Sequence, residues 1–218
     1  MSWPQLKCCQ HCDRNTNIVC LVVPVCCPIC QQNTAATQMR VPPYLLPAPF
    51  ISSTDAPCSL VLKQTVGDFI KDYSSAVNLH IGVTDTRGVC YNFDEDGLHM
   101  GETWQQCISI PLLSMPAVSG HISSSDWDDR LHIFASPLQW HRQRYHDADC
   151  NCFDFVLQFL RFLQCHRFQN IDGTDVLSDK KVFCDIFLTQ QTAKAAQYIS
   201  AYRRILQEGF VLVPAGNI

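Results

Sequence analysis

Three groups of residues in this 218-residue chain have the types and spacing that chemistry requires. The first is Cys152, in Asn151-Cys152-Phe153-Asp154-Phe155, where the polar stretch Tyr145-His146-Asp147-Ala148-Asp149 gives way to an apolar run. Asn151 or Asp149 can cap a helix there, which puts Cys152 in the first turn. Unpaired backbone N–H groups and the positive end of the helix macrodipole favour a thiolate at that position, so the Cys152 thiol is expected to be acidified. The second group is His80, with Asn92, Asp94 or Asp96 as a polar partner. A thiol becomes a nucleophile at neutral pH when a base lies within hydrogen-bond reach, and the base needs a neighbour that fixes its tautomer. Cys152 as nucleophile, His80 as base and Asn92 as orienter form the candidate catalytic set. The third group is Cys9-Gln10-His11-Cys12 followed by Cys27-Pro28-Ile29-Cys30. Two CxxC pairs at this separation form the ligand pattern of a zinc ribbon, with Cys9, Cys12, Cys27 and Cys30 as the expected structural ligands. His11 is an alternative to Cys9, and Cys8, Cys20 and Cys26 are further thiols in the same stretch.

The elements that must hold these groups are legible in outline. Phe153, Phe155, Val156, Leu157, Phe159, Leu160, Phe162 and Leu163 crowd nearly every side of one helix, the pattern of an enclosed, central helix. Leu79-His80-Ile81-Gly82-Val83-Thr84 and Val89-Cys90-Tyr91-Asn92-Phe93 flank a Gly-closed polar turn and read as a hairpin. Period two puts Leu79, Ile81 and Val83 on one face and His80 with Gly82 on the other, so His80 and Asn92 can be direct or diagonal cross-strand neighbours. Further strands are expected at 59–63, 108–113 (interrupted at Pro111) and 210–213. A helix capped by Ser124 or Ser125 should run through Trp127, Leu131 and Phe134, and an amphipathic helix should run from Thr192 to Gln207. Residues 181–188 read as a mixed connection. The expected organisation is a Cys-rich, zinc-ribbon-like module over 1–33, a Pro-rich linker over 34–57, and an α+β domain over 58–218.

Composition narrows the function classes. An apolar fraction of 47% with 10% aromatics supports a real core. Net charge is −4 and the longest basic runs are Lys180-Lys181 and Arg203-Arg204, so no nucleic-acid partner is expected. The early apolar run from Ile18 to Val25 is too short to cross a bilayer and lacks signal-peptide flanks, so an intracellular protein, cytoplasmic or nuclear, is expected. In that setting the fourteen cysteines read as metal ligands or free thiols rather than a disulfide scaffold.

The order of motifs resembles that of the circularly permuted papain-like hydrolases, in the PPPDE and lecithin:retinol acyltransferase-like families. The residues concerned are the strand Leu79-His80-Ile81-Gly82-Val83, the hairpin after it, and Asn151-Cys152 opening a helix. The resemblance implies a permuted papain-like sheet packed on the central helix, with Cys152 as nucleophile and His80 as base. The chain also resembles the makorin-2 opposite-strand protein family. That likeness is carried by Cys27-Pro28-Ile29-Cys30-Gln31-Gln32, Leu79-His80-Ile81-Gly82-Val83, Val89-Cys90-Tyr91-Asn92, Ile108-Ser109-Ile110-Pro111-Leu112-Leu113 and Asn151-Cys152. It implies that His11-Cys12 and Cys27-Pro28-Ile29-Cys30 matter more than Cys9, and it brings no activity with it.

Two functions compete. One is a cysteine-dependent hydrolase, isopeptidase or acyltransferase acting on a ubiquitin-like or acylated protein. The other is an inactive papain-like scaffold that binds a protein partner beside its zinc module. Buried cysteines are commonly structural, and Trp104, Trp127 and Trp140 read as core or groove walls. A groove filled by the linker, Trp104 or Trp140 would mark the second reading.

Overall fold

A computed structural model gives the fold and describes residues 5–74, 77–114, 122–163 and 176–216. It is a mixed α/β structure with two antiparallel sheets and few helices. The chain divides into two compact units, Met1–Pro49 together with Lys194–Ile218, and Phe50–Ala193.

In the first unit, β1 (Lys7–Gln10), β2 (Thr16–Cys20) and β3 (Val41–Leu45) join β9 (Phe210–Pro214) in the order β3-β1-β2-β9. The β-branched run of β2 buries Ile18 and Val19 completely or nearly so, and Cys8, Cys9 and Cys20 fill the space beside them. The prolines of β3 are tolerated because it is an edge strand that pairs only with β1. The last strand of the sequence is present, and it pairs along its whole length with β2, from Thr16 opposite Pro214 to Cys20 opposite Phe210.

The second unit holds β4 (Ser59–Gln64), β5 (Leu79–Thr84), β6 (Cys90–Asp94), β7 (Gly97–Glu102) and β8 (Ile108–Pro111), in the order β7-β6-β5-β4-β8. One sheet face carries Leu60, Leu62, Ile81, Val83 and Phe93, all fully buried. The helix Cys152–Phe162 packs on β5 and β6. Its Phe155 meets Trp140, whose ring in turn meets Phe93, at centroid distances of 5.0 and 5.1 Å. This is therefore the face that the helix covers. Trp127 of the helix Ser124–Phe134 meets Phe159 edge-on at 5.3 Å and donates its indole N–H to the Thr84 carbonyl at 2.9 Å. In chain order the helices are α1 (Phe69–Asp72), α2 (Ser124–Phe134), α3 (Cys152–Phe162), α4 (Lys180–Phe183) and α5 (Thr189–Glu208).

The elements depart from the sequence reading in three places. The α2 cap is Ser123, whose hydroxyl accepts the Asp126 N–H at 3.1 Å, one residue before the two serines expected. Residues 181–188 are helical: Asp179 caps α4 by accepting the Lys181 N–H, and a π-helical turn, Cys184–Leu188, carries the chain into α5. The strand β7 was not anticipated, because its two glycines hide the alternation that pairing with β6 imposes.

Candidate functional site

The thiol-rich centre is built on two turns. His11 and Cys12 follow β1, where the chain turns towards β2. Cys27-Pro28-Ile29-Cys30 forms a tight knuckle closed by the Gln31 N–H donating to the Cys27 carbonyl and the Cys27 N–H donating to the Gln32 carbonyl, both at 2.8 Å. One donor atom each from His11, Cys12, Cys27 and Cys30 lies within 4.8 Å of the others, a cluster that can hold a metal ion. The Cys12 and Cys27 sulfurs are 3.9 Å apart, and Cys30 Sγ lies 3.3 Å from His11 Nδ1. Cys9 is not in the cluster. As a residue of β1 opposite Ile18 it points inward, with its thiol 3.8 Å from the Ile18 carbonyl. Burial and the neighbouring Cys20, Cys8 and Cys27 push it up to about 11. No disulfide joins the described cysteines.

The charge state of the cluster follows from its geometry. Desolvation, then the neighbours Cys30 and Cys27, push Cys12 up to about 11. Burial acts on Cys27 in the same direction, but the N–H groups of Cys30 and Ile29 aimed at its sulfur outweigh it and lower its pKa. His11 is 3% exposed, and its Nε2 lies 2.6 Å from Thr37 Oγ1. The Thr37 hydroxyl donates to the Asn33 carbonyl, so it meets Nε2 as an acceptor. The proton therefore sits on Nε2, and Nδ1 presents a lone pair towards the cysteines. No feature of the sequence singled out Thr37; its role comes from a fold that brings residues 11, 33 and 37 together.

The second set is divided across the five-stranded sheet. Asn151 caps α3 as expected: its Oδ1 accepts the Phe153 N–H at 2.9 Å, and Asp154 accepts the Asn151 N–H at 2.9 Å to close a capping box. Cys152 is 5% exposed, with the N–H groups of Ile81, Phe153 and Cys152 itself directed at its sulfur. The acidified thiol expected from the helix start is not found. Burial raises the Cys152 pKa, and the three N–H groups oppose this without reversing it.

His80 and Asn92 do meet. Asn92 lies opposite Gly82, so His80 is its diagonal neighbour, with Nε2 and Oδ1 2.8 Å apart. The amide orientation is fixed beyond Asn92, because its Nδ2 donates to Glu102 Oε2 at 2.8 Å, as does the Trp104 indole N–H. His80 Nε2 is therefore the protonated nitrogen and Nδ1 the free base. Burial lowers the His80 pKa against the contrary pull of Asn92. Glu102 is lowered despite partial burial, chiefly by its hydrogen bonds from Trp104 and Asn92. Asp94 is engaged instead with His99, at 2.7 Å.

His80 faces away from α3. It alternates with Ile81, which lies on the helix-covered face, and its ring packs 5.6 Å from Trp104 in the layer formed with Ala56, Val61, Cys90 and Cys107. Residues Ile51 and Ser53 of the Pro-rich segment seal that layer. Ile51 exchanges backbone hydrogen bonds with Cys107, and Ser53 Oγ accepts the Trp104 N–H at 3.0 Å. Gly82 makes room for it, since a Cβ there would fall 2.6 Å from Cys90 Sγ and 3.1 Å from the Trp104 ring. Among the described residues no hydrogen bond joins the Cys152 thiol to the imidazole.

A stability prediction follows from His80. Its folded pKa lies below the ordinary value of 6.5, so the unfolded chain binds the extra proton first on acidification. The stability it contributes is complete above pH 6.5 and is lost as pH falls from there through the folded pKa. Urea titrations from pH 8 to 5 should show this slope in the native protein and not in His80→Gln; an equal slope in both would remove His80 as its source.

The chain is 33% identical to the human (Homo sapiens) MKRN2 opposite strand protein over 202 residues, covering 92% of this chain and 86% of the relative. Residues 43–205 match the family described as DUF4796 C-terminal. No solved structure matches the chain. By this match the chain belongs to the MKRN2 opposite strand protein family, with the DUF4796 C-terminal region as the greater part of its length.

Proposed function

We propose that this is a non-enzymatic binding protein: an α+β scaffold in permuted papain-like order whose N-terminal module is stapled by a structural zinc ion and whose partner is another protein. The observation that carries the reading is the separation of the would-be dyad. His80 is packed under Trp104 with the linker sealed against it, whereas Cys152 lies at the start of the helix that covers the opposite sheet face. The filled layer is what a scaffold retaining the order of a thiol hydrolase, without its groove, would have.

Zinc is supported by the donor geometry. With Zn–S near 2.3 Å and Zn–N near 2.0 Å, a tetrahedral ion separates two sulfurs by about 3.8 Å and a sulfur from a nitrogen by about 3.5 Å. The cluster has 3.9 and 3.3 Å for those pairs. Three sulfurs and one nitrogen fill the coordination shell, so the site would serve structure and leave no position for substrate.

A thiol-transfer reading keeps one specific support, the three N–H groups on the Cys152 sulfur together with a His80 Nδ1 left free by the Asn92–Glu102 chain. One experiment separates the two. Zinc-replete protein is alkylated from pH 6 to 10 and modification is mapped residue by residue. The binding reading expects Cys152 to react slowly and identically in His80→Ala. A fast Cys152 with an apparent pKa below that of a free thiol, lost in His80→Ala, would sink it.

A further inference from the structure

The two sheets end on the edge strands β3, β9, β7 and β8. An open edge offers unpaired N–H and C=O groups to any strand it meets, and native sheets blunt it with prolines, bulges, charges or a covering segment. Three of these edges are guarded. β3 carries Pro42 and Pro43 and a bulge against β1. β7 is bulged against β6, and the Arg142 backbone lies close beside its Gly97. The outer side of β8 is taken up next to Ile108 by Ile51, which exchanges backbone hydrogen bonds with Cys107, and the strand ends at Pro111. β9 has only a proline at its last residue. It runs along β2 in a single register, and Phe210-Val211-Leu212-Val213-Pro214 carries no charge. The Ala215 N–H donates to the Asn15 carbonyl at 2.8 Å, which fixes the alternation. Val211 and Val213 spend their backbone groups on β2, while Phe210, Leu212 and Pro214 turn theirs outward. Among the described residues no hydrogen bond takes up the outward groups of Phe210 or Leu212. Leu212 is 43% exposed, although its cross-strand neighbour Ile18 is fully buried.

We propose that β9 is an interface with a second copy of this chain, pairing antiparallel with its own counterpart about Leu212 and joining the two β3-β1-β2-β9 sheets into one. A strand that pairs with its copy across a twofold axis must be self-complementary, and the outward groups of β9 are. Leu212 falls on the axis, where its N–H donates to the Leu212 carbonyl of the second copy and its own carbonyl accepts in return. Phe210 then stands opposite Pro214, so each Phe210 N–H meets a Pro214 carbonyl. The N–H that proline lacks is called for only at the ends of the ladder. Cross-strand neighbours share a face, so the row Cys9, Ile18, Leu212 runs on into Leu212 of the second copy. That row extends the layer in which Cys9, Ile18 and Cys27 are buried and against which Phe210 packs. Glu208, the nearest charged residue before the strand, lies outside the paired stretch, so no like charges meet. So short a ladder buries less than about 1,200 Å² in all, which belongs to transient contacts.

The test is sedimentation velocity on the full, zinc-replete chain under reducing conditions, from about 10 µM to about 1 mM, with amide exchange measured by NMR at both ends of that range. A monomer–dimer equilibrium is expected. The Leu212 amide should be about tenfold better protected at the high concentration, while Val211 and Val213, bonded to β2, are protected alike at both. Leu212→Pro and Leu212→Lys should each weaken association about tenfold or more and leave the protection of Val211 and Val213 in place, because position 212 spends no backbone group on β2. An equimolar mixture of Leu212→Lys and Leu212→Glu should regain association that neither variant has alone, since position 212 meets itself at the axis. A chain that stays monomeric at the highest concentration overturns the proposal. So does a dimer that survives both substitutions or leaves the Leu212 amide unprotected. Protection of Leu212 in a monomer, gained only on adding an extended peptide from another protein, would give the edge to that protein and overturn it as well.

Discussion

On the structural-zinc reading proposed above, treating the purified protein with a strong chelator is expected to unfold the β3-β1-β2-β9 sheet. The donor atoms of the knuckle at 27–30 and the turn at 11–12 converge on one point. Structural zinc sites in small modules carry apparent binding energies of about 10–16 kcal/mol, most of which appears as folding energy. One zinc per chain should be found by elemental analysis, and amide exchange in β1 and β2 should rise at least a hundredfold on chelation. The ligand set has its own signature. His11→Ala and Cys30→Ser should lose the metal, whereas Cys9→Ser, outside the cluster, should keep it. Thr37→Val removes the acceptor that holds the His11 proton on Nε2 and should weaken zinc binding about 10- to 100-fold. Binding must displace protons from the thiols, Cys12 above all, so affinity falls as pH falls. Zinc retained in His11→Ala and lost in Cys9→Ser would reverse the assignment.

Replacing Trp127 by alanine should be the most damaging single core substitution. Its ring is fully buried, it lies edge-on to Phe159, and its N–H satisfies the Thr84 carbonyl at the end of β5. Truncating a large buried aromatic costs about 3–5 kcal/mol, and the orphaned carbonyl adds about 1–3 kcal/mol. Domains of ordinary stability hold about 5–15 kcal/mol in all, so Trp127→Ala should be largely insoluble or unfolded at 37 °C. Trp127→Phe keeps most of the ring, loses the donor, and should cost about 1–3 kcal/mol by urea denaturation. Equal midpoints for wild type and Trp127→Phe would show that the hydrogen bond to Thr84 contributes nothing.

Much of this architecture is legible in the chain, and the failures have physical causes. The α3 start is written in Asn151 and Asp154, whose side chains cap it whatever packs above. The β5–β6 hairpin and the diagonal meeting of His80 with Asn92 follow from alternation and a Gly-closed turn. Alternation also puts His80 opposite Ile81. What it cannot say is which face α3 covers, and that decides whether a thiol at the helix start can reach the imidazole. The Cys152 pKa fails for a related reason: the helix dipole is local, whereas the burial that outweighs it is tertiary. In the His/Cys cluster, CxxC spacing points to Cys9, but Cys9 packs in the core with Ile18 and Cys27, its thiol beside the Ile18 carbonyl, and it is His11, just past the end of β1, whose donor atom converges with those of Cys12, Cys27 and Cys30. Thr37 meets His11 only through the fold, and Glu102 meets Asn92 only because β7 pairs with β6, so no local pattern marks either.

The pairing of β2 with β9 has a consequence for synthesis on the ribosome. Ile18 emerges early and Leu212 close to two hundred residues later, yet the two sit side by side in the sheet. At about 5–20 residues per second, the apolar edge of β2 therefore stays open for roughly 10–40 s in each round of translation. The cysteine knuckle is made in the first moments of that interval. A cell in which translation stalls before residue 210 would hold nascent chains with an unsatisfied strand edge, which is the form most exposed to mispairing between neighbours on a polysome.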